Sequence, residues 1–379
     1  MKYLLKNLDI YDGEQFLVAH EILFGENKIF EIAKNINTFA DIEIDCNKAI
    51  LTPSLLDIQV NGAFGKLVEN FSTQDLLEFD NRLKLSGVLS WIPTILSPNI
   101  ERLNSIINFV NEHHSLTGID GLHIEGPWLS QSKKGVHPDV SLPLIEDFIE
   151  SIDRLSKSLH IVITQDYTKI DDAVVKQLCS RDKTTLMLGH SNATYDETSK
   201  LFDLGISGIT HLGNGTSSFT PREPGMIGAF AEHHKNWATV VPDGKHIHKA
   251  TMKLLKVISG RGKLCAISDL MPGFGLNINS KFNFLGVEAL VTKNGAVDRN
   301  GNICGSTTLL NECLRYLVTE CSIPFDEALM MGSLWPRNLL KQNINQYKIK
   351  AGNKADFILH DTSFNMKGYC IKGDFKLFN

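Results

Sequence analysis

The sequence lacks several features that would assign it to a specialised class of proteins. It has no apolar run long enough to span a bilayer, and the apolar patch in its opening MKYLLKNLDIYDG is too short for a secretory signal. Its 38 Lys and Arg do not outnumber its 43 Asp and Glu, so the net charge of -5 offers no basic surface. It also shows no low-complexity tract and no internal repeat. We therefore expect a globular protein with no nucleic-acid or membrane partner.

Cysteine is present but shows no pattern that indicates disulfides. The seven cysteines are scattered along the chain without CxxC pairs, and their odd number argues against a complete disulfide framework. We expect reduced thiols and a cytoplasmic location.

The middle of the chain differs from its two ends. Between residues 53 and 342, short apolar runs rich in β-formers alternate with helical stretches such as STQDLLEFDNRLKLSG and TYDETSKLFDLG. That alternation over this length predicts an α/β fold, a (β/α)8 barrel of the TIM type. Residues 1–52 and 343–379 instead alternate with period two between Gly, Asn and Asp turns, which predicts one small β-sandwich domain built from both termini.

Five apolar runs of the middle region end on polar side chains just before a turn. A single acid at a strand end is usually a solvated loop residue, but repetition at five strands indicates a shared purpose. In a parallel barrel the carboxyl ends of the strands form one mouth, so these side chains should meet there. The residues concerned are Gln59 and Asn61 in LTPSLLDIQVNG, Glu125 in GLHIEGPW, His190 in TTLMLGH, His211 in GISGITH and Asp269 in KLCAISD.

The residue types at these strand ends point to metal-dependent hydrolysis. One carboxylate and two imidazoles, here Glu125, His190 and His211, form a catalytic zinc set that leaves a coordination position free for water. Asp269 is then the acid/base that takes a proton from the activated water and returns it to the leaving group.

The motifs around these residues resemble those of a known family. HIEGPWLSQSKKGVHP, LGHSNATYDE, THLGNGTSSFTPREPGMIGA, VPDGKHIH and ISDLMPGFG are similar, in this order, to the signature blocks of the N-acetylglucosamine-6-phosphate deacetylases of the amidohydrolase superfamily. The resemblance extends from about residue 51 to about residue 361. It implies hydrolysis of N-acetylglucosamine 6-phosphate to glucosamine 6-phosphate and acetate, with one divalent metal, Zn²⁺ or alternatively Fe²⁺.

The resemblance also implies roles for residues that bind the substrate. His137 in KKGVHP matches the histidine that contacts the amide carbonyl, and Asn214 and Gly215 match a loop that contacts the sugar phosphate. Arg222 and His246 match a basic pair that binds the phosphate and that, in family dimers, comes from the neighbouring subunit. A homodimer with shared active sites is therefore implied.

Gln59 and Asn61 mark a departure from many amidohydrolases, which carry His-x-His at the end of the first barrel strand. Neutral amides are poor zinc ligands beside imidazole and carboxylate, so we expect a single metal. Similar Gln-x-Asn variants occur in the deacetylase family, and the two amides therefore indicate its one-metal subtype.

Two alternatives to the leading function remain open from the sequence. The same chemistry could act on another N-acyl amino sugar, such as N-acetylgalactosamine 6-phosphate or an unphosphorylated sugar. A protein of another class would bind a sugar phosphate without turnover, although a pure binding protein has no use for an acid/base such as Asp269.

Overall fold

The fold is known from a computed structural model that describes residues 1–293 and 295–378. Its centre is a sheet of eight parallel strands in which each strand pairs with the next in sequence. The barrel strands are Leu55–Val60, Val88–Leu96, Gly121–Glu125, His160–Gln165, Thr184–Leu188, Gly208–Ile209, Trp237–Val240 and Leu264–Ala266. The ring is nearly closed by a parallel bridge between Val60 and Leu270. The predicted (β/α)8 barrel is thus confirmed.

Helices surround the barrel because they bury their apolar faces against its outer surface. Helix Tyr195–Leu204 shows how the sequence determines where such a helix begins and ends. It begins with a capping box between Thr194 and Glu197, and Gly205 ends it with a φ of 112°. The α-helices are Thr73–Leu85, Ile100–His113, Ile145–Asp153, Asp172–Cys179, Tyr195–Leu204, Gly225–Glu232, Lys249–Ser259, Leu310–Thr319, Phe325–Gly332 and Leu334–Leu339.

The two ends of the chain form one separate β domain, as predicted, and its strands make a second sheet of eight. The strands are Lys2–Tyr11, Phe16–Gly25, Lys28–Ala33, Ile42–Asp45, Ile50–Pro53, Phe357–His360, Met366–Ile371 and Asp374–Leu377. Most pairings are antiparallel, but Lys2–Tyr11 pairs in parallel with both Ile42–Asp45 and Ile50–Pro53, so the sheet is mixed. It has its own core, in which the rings of Phe24 and Phe357 lie 5.0 Å apart. We propose residues 1–52 with 343–379, and residues 53–342, as the bounds of the two domains.

A small three-stranded antiparallel sheet, which we did not predict, is inserted after the eighth barrel strand. Its strands are Lys281–Phe284, Val287–Thr292 and Gly295–Asp298. It packs on Leu67, Leu96 and Met271 beside the carboxyl ends of the barrel strands. The insertion therefore forms part of the wall around the barrel mouth.

Two further expectations concern cysteines and membrane spans. All seven cysteines lie within the described residues and are free thiols, as predicted. Across residues 1–293 and 295–378, no helix has the length and apolar character needed to cross a bilayer.

Candidate active site

The polar residues at the strand ends meet in one cavity of about 320 Å³ at the carboxyl end of the barrel. Glu125 is the last residue of the third strand, and His190 and His211 each follow two residues after a strand, the fifth and the sixth. Asp269 lies three residues after the eighth strand. The barrel therefore brings together all four residues that the sequence predicted for metal binding and acid/base chemistry, because all of them line this cavity.

The backbone turns sharply at three of these residues. His190, His211 and Asp269 have φ angles of 47°, 29° and 50°, in the left-handed region that non-glycine residues rarely adopt. Such strained residues are concentrated at functional sites, where the surrounding structure holds them in place. Here the turn ends each strand and directs its side chain into the cavity.

The side chains of Glu125, His190 and His211 converge on one point. Glu125 Oε1 lies 3.1 Å from His190 Nε2 and 2.8 Å from His211 Nε2, and the two ring nitrogens are 3.1 Å apart. Each histidine is oriented from behind, since His190 Nδ1 donates to the carbonyl oxygen of Lys133 and His211 Nδ1 to that of Asn214. A carbonyl oxygen can only accept, so the ring proton is on Nδ1 and the lone pair of Nε2 faces the cavity.

This donor set fits a divalent metal. Two imidazole lone pairs and a carboxylate oxygen within 3.1 Å of one another repel unless a cation lies among them. The charges agree with this reading. Burial opposes the charged form of Glu125, but its close contacts with the rings of His190 and His211 hold its pKa well below the usual value. Contact with Glu125 in turn raises the pKa of His211 against the same effect of burial. The cluster thus favours a positive charge beside Glu125.

His137 is an alternative third ligand. Glu125, His137 and His190 place one possible ligand atom each within 4.8 Å of one another. However, His137 Nε2 lies 3.9 Å from Glu125 Oε2, whereas His211 reaches the same carboxylate at 2.8 Å. Burial and the neighbouring His190 lower the pKa of His137 to about 3, so this ring is neutral. We favour His211 as the ligand and His137 as a residue that faces the substrate.

Asp269 is held by the two amides at the end of the first strand. Asn61 Nδ2 donates to Asp269 Oδ1 at 2.8 Å, and Gln59 Nε2 donates to the same oxygen at 3.2 Å. Gln59 Nε2 also lies 3.2 Å from Glu125 Oε2, so one amide group bridges the two carboxylates. Burial and the charge of Glu125 raise the pKa of Asp269. The amides therefore serve the carboxylates as donors, which agrees with the single metal that we expect.

His246 lines the cavity of its own chain, which differs from the expectation that it completes the neighbouring active site. Its Nδ1 donates to Asp243 Oδ2 at 2.9 Å, and its backbone N–H donates to Asp243 Oδ1 at 2.9 Å. Burial opposes the charge of Asp243, but these bonds lower its pKa to about 2. The aspartate fixes the ring, and Nε2 is left to contact a ligand.

Among the other predicted substrate residues, Asn214 and Gly215 line the cavity and Arg222 does not. Gly215 has a φ of 59°, and a Cβ there would lie 3.0 Å from His190 Nδ1, so both the backbone and the space favour glycine. Arg222 is exposed at the protein surface, outside the cavity. The structure thus leaves this residue free to reach a second molecule.

Several residues of the site were missed at the sequence level. Ser97, which follows the second strand, bonds to His137, Lys133 orients His190 through its carbonyl oxygen, and Asp243 orients His246. Ser97 ends an apolar strand just as Glu125 does, so the same strand-end rule could have found it. Lys133 acts through its backbone and leaves no signal in its side chain.

Comparison with known proteins identifies relatives over the full chain. An N-acetylglucosamine-6-phosphate deacetylase of Haemophilus influenzae is 27% identical, over 99% of this chain and 100% of the relative. The crystal structure of an N-acetylglucosamine-6-phosphate deacetylase from Pasteurella multocida superposes with a TM-score of 0.90 at 26% identity and covers 100% of both chains. This chain is similar over its full length to N-acetylglucosamine-6-phosphate deacetylases. The resemblance noted in the sequence is thereby confirmed.

A further relative has a different substrate in its name. An N-acetylgalactosamine-6-phosphate deacetylase of Shewanella sp. is 28% identical, over 86% of this chain and 82% of the relative. The two kinds of deacetylase are thus about equally similar to this chain. No family model matches the sequence.

Proposed function

We propose that the protein is a metal-dependent deacetylase that hydrolyses N-acetylglucosamine 6-phosphate to glucosamine 6-phosphate and acetate. The observation that carries this proposal is the convergence of Glu125, His190 and His211 beside Asp269 in one cavity. The full-length deacetylase relatives support it.

Glu125, His190 and His211 would hold the metal, and Zn²⁺ is the ion that a set of one carboxylate and two imidazoles suits best. When bound, the metal supplies a Lewis acid that polarises the amide carbonyl and makes water more acidic. Fe²⁺ is the alternative ion, and metal analysis of the protein purified from its native source would distinguish the two.

Asp269 moves the proton in this proposal. Its raised pKa makes it a better base than an exposed aspartate, so it accepts the proton of the attacking water. It then donates that proton to the amide nitrogen, which leaves as an amine. Gln59 and Asn61 keep the carboxylate in place through both steps, since both donate to Oδ1.

His137 and the loop at Asn214 and Gly215 position the substrate. The Nε2 atom of His137 would donate to the amide oxygen, where negative charge develops during attack. Gly215 brings its backbone close to His190, and the loop lines the wall of the cavity. His246, fixed by Asp243, would contact the phosphate together with Arg222 from a neighbouring subunit.

A second candidate keeps the chemistry and changes the sugar to N-acetylgalactosamine 6-phosphate. The similarity to the Shewanella relative favours it. The two sugars differ only in the orientation of one hydroxyl group, so comparison of kcat/KM for both substrates is needed.

The test is acetate release by the zinc-loaded protein from N-acetylglucosamine 6-phosphate, N-acetylgalactosamine 6-phosphate and unphosphorylated N-acetylglucosamine. We expect the highest kcat/KM with N-acetylglucosamine 6-phosphate. A preference for the galactosamine epimer would establish the second candidate. Absence of acetate release from all three sugars would refute both. We also propose a cytoplasmic location, which fractionation of the native cells would test.

A further inference from the structure

Ser97 lies directly behind His137, which lines the cavity. The Ser97 Oγ and His137 Nδ1 atoms are 2.9 Å apart, and both residues are buried, with exposed fractions of 1% and 5%. Of the atoms in the described part of the chain, Nδ1 of His137 is the one hydrogen-bond partner that the Ser97 hydroxyl has. The state of this one bond decides what His137 presents to the substrate.

The bond can run in either direction, with opposite consequences. If the hydroxyl donates to Nδ1, the ring proton of the neutral imidazole is on Nε2, and His137 can donate to a carbonyl oxygen. If Nδ1 donates to the hydroxyl, Nε2 carries a lone pair, and His137 can only act as a further metal ligand with Glu125 and His190.

We propose that Ser97 is a positioning residue whose hydroxyl donates to Nδ1 of His137 and so fixes the ring proton on Nε2, towards the substrate. This inference rests on the proposed function for its consequence in catalysis, but its geometry stands alone. In the opposite direction the hydroxyl proton of Ser97, a residue that is 1% exposed, would have no acceptor among the described residues, which costs free energy.

The environment of Nε2 favours the same direction. This atom lies 3.9 Å from Glu125 Oε2, so an N–H there is attracted to the carboxylate and a lone pair is repelled by it. The two ligand histidines differ from His137 in the group that lies behind Nδ1. His190 and His211 each have a carbonyl oxygen behind Nδ1, which forces the proton onto Nδ1, whereas His137 has a hydroxyl group there. The groups behind Nδ1 thereby make His190 and His211 metal ligands through Nε2 and make His137 a hydrogen-bond donor through Nε2.

The backbone holds the Ser97 hydroxyl in this position. Ser97 has a φ of 39°, its N–H donates to the carbonyl oxygen of Glu125 at 2.6 Å, and Arg102 Nη1 donates to its carbonyl oxygen at 3.2 Å. Gly126 gives the hydroxyl its space, because a Cβ at that position would lie 2.4 Å from Ser97 Oγ. Ser97 is thus tied both to the metal-binding strand and to His137.

The direct test is the tautomer of His137 in the full-length protein labelled with ¹⁵N-histidine. Long-range ¹H–¹⁵N correlation spectra would be recorded before and after addition of one equivalent of zinc, with His137→Gln used to assign the signals. We expect His137 to carry its proton on Nε2 in both states, while His190 and His211 change on zinc addition. A proton on Nδ1 of His137, or loss of its Nε2 proton on zinc addition, would overturn the proposal.

Variants supply the second readout. In Ser97→Ala the fixed tautomer should be lost, and kcat should fall about tenfold or more with KM little changed, as is typical when the partner of a site histidine is removed. Ser132→Ala, an exposed serine of the neighbouring loop, is the matched control and should retain both the tautomer and kcat. A folded Ser97→Ala protein with the wild-type tautomer would refute the role of Ser97.

Because the spectra require no turnover, an inactive wild type with the expected tautomer would contradict the proposed function and leave this inference intact.

Discussion

At the scale of the single residue, the proposed chemistry depends on Asp269. Its carboxylate is half-buried, and the two amide donors to Oδ1 hold it in place. Asp269→Asn keeps the size of the side chain but cannot accept the proton. We expect kcat to fall about 10²- to 10⁴-fold, with KM and metal content near the wild-type values. Steady-state kinetics with metal analysis would check this, and near-normal turnover would exclude Asp269 as the acid/base.

The identity of the third metal ligand gives a second prediction at this scale. His211→Ala removes an atom that lies 2.8 Å from Glu125 Oε1, so the protein should lose most of its bound zinc. His137→Gln should keep one zinc per chain, because we assign His137 to the substrate. Metal content after dialysis distinguishes the two assignments. Loss of zinc in the His137 variant alone would favour the set formed by Glu125, His137 and His190.

A third prediction concerns Asp57, which is fully buried below the site and accepts a bond from the backbone N–H of Ser268. Burial raises the pKa of Asp57 to about 7. The folded state therefore binds this proton more tightly than the unfolded state does. The resulting stabilisation is complete below the ordinary pKa of an aspartate and is lost as the pH rises through about 7.

Asp57→Asn removes this pH dependence. Relative to the wild type, the unfolding free energy of the variant should rise between pH 5 and pH 9, by a few kcal/mol at about 1.4 kcal/mol per pKa unit. Denaturant unfolding at both pH values measures the difference, and Asp203→Asn, at an exposed position, is the control. A wild-type-to-variant difference that does not change with pH would contradict the raised pKa.

Most of the candidate site could be predicted from the types of residue at the strand ends. An acid, two imidazoles and an aspartate at the ends of apolar strands can be recognised because the barrel places every strand end at one mouth. The partners of Gln59 and Asn61 could not be read from the sequence, since the direction in which an amide donates depends on the neighbouring carboxylates. The same holds for Lys133, which acts through its carbonyl oxygen.

At the scale of the secondary-structure element, the loops after the strands are fixed by local bonds. The segment after His190 leads directly into helix Tyr195–Leu204, whose first turn is held by the capping box of Thr194 and Glu197. Thr194→Ala should lower the unfolding free energy by about 1 kcal/mol, a typical loss for an N-cap. Chemical denaturation would measure it, beside Ser158→Ala at an exposed position as control. An unchanged midpoint would show that the capping box does not stabilise the fold.

The elements themselves were predictable where their periodicity is strong. Helix Thr73–Leu85 and helix Tyr195–Leu204 lie in the two stretches that the sequence indicated as helical. The three-stranded insertion at Lys281–Phe284 to Gly295–Asp298 was missed, although KFNFLGVEALV alternates between apolar and polar residues. It was missed because the whole middle region was assigned to the alternating strands and helices of the barrel. The parallel pairing within the terminal sheet depends on contacts between residues far apart in sequence and could not be predicted.

At the scale of the whole molecule, the open question of assembly concerns Arg222. This arginine is exposed and does not line the cavity of its own chain. If it completes the active site of a partner subunit, Arg222→Ala and Asp269→Asn proteins should complement each other when mixed and reassembled. A mixed dimer then has one intact site, and about a quarter of the wild-type activity should return. Recovery of no activity, with mixed dimers present, would place Arg222 outside the shared site.

The proposed function depends on a single metal centre built by Glu125, His190 and His211, with the amides of Gln59 and Asn61 bonded to the carboxylates beside it. The most direct test is titration of the metal-free protein with zinc while acetate release from N-acetylglucosamine 6-phosphate is measured. We expect no turnover without metal and a rise in activity that ends at one zinc per chain. Full activity that requires two zinc ions per chain, or turnover by the metal-free protein, would contradict it.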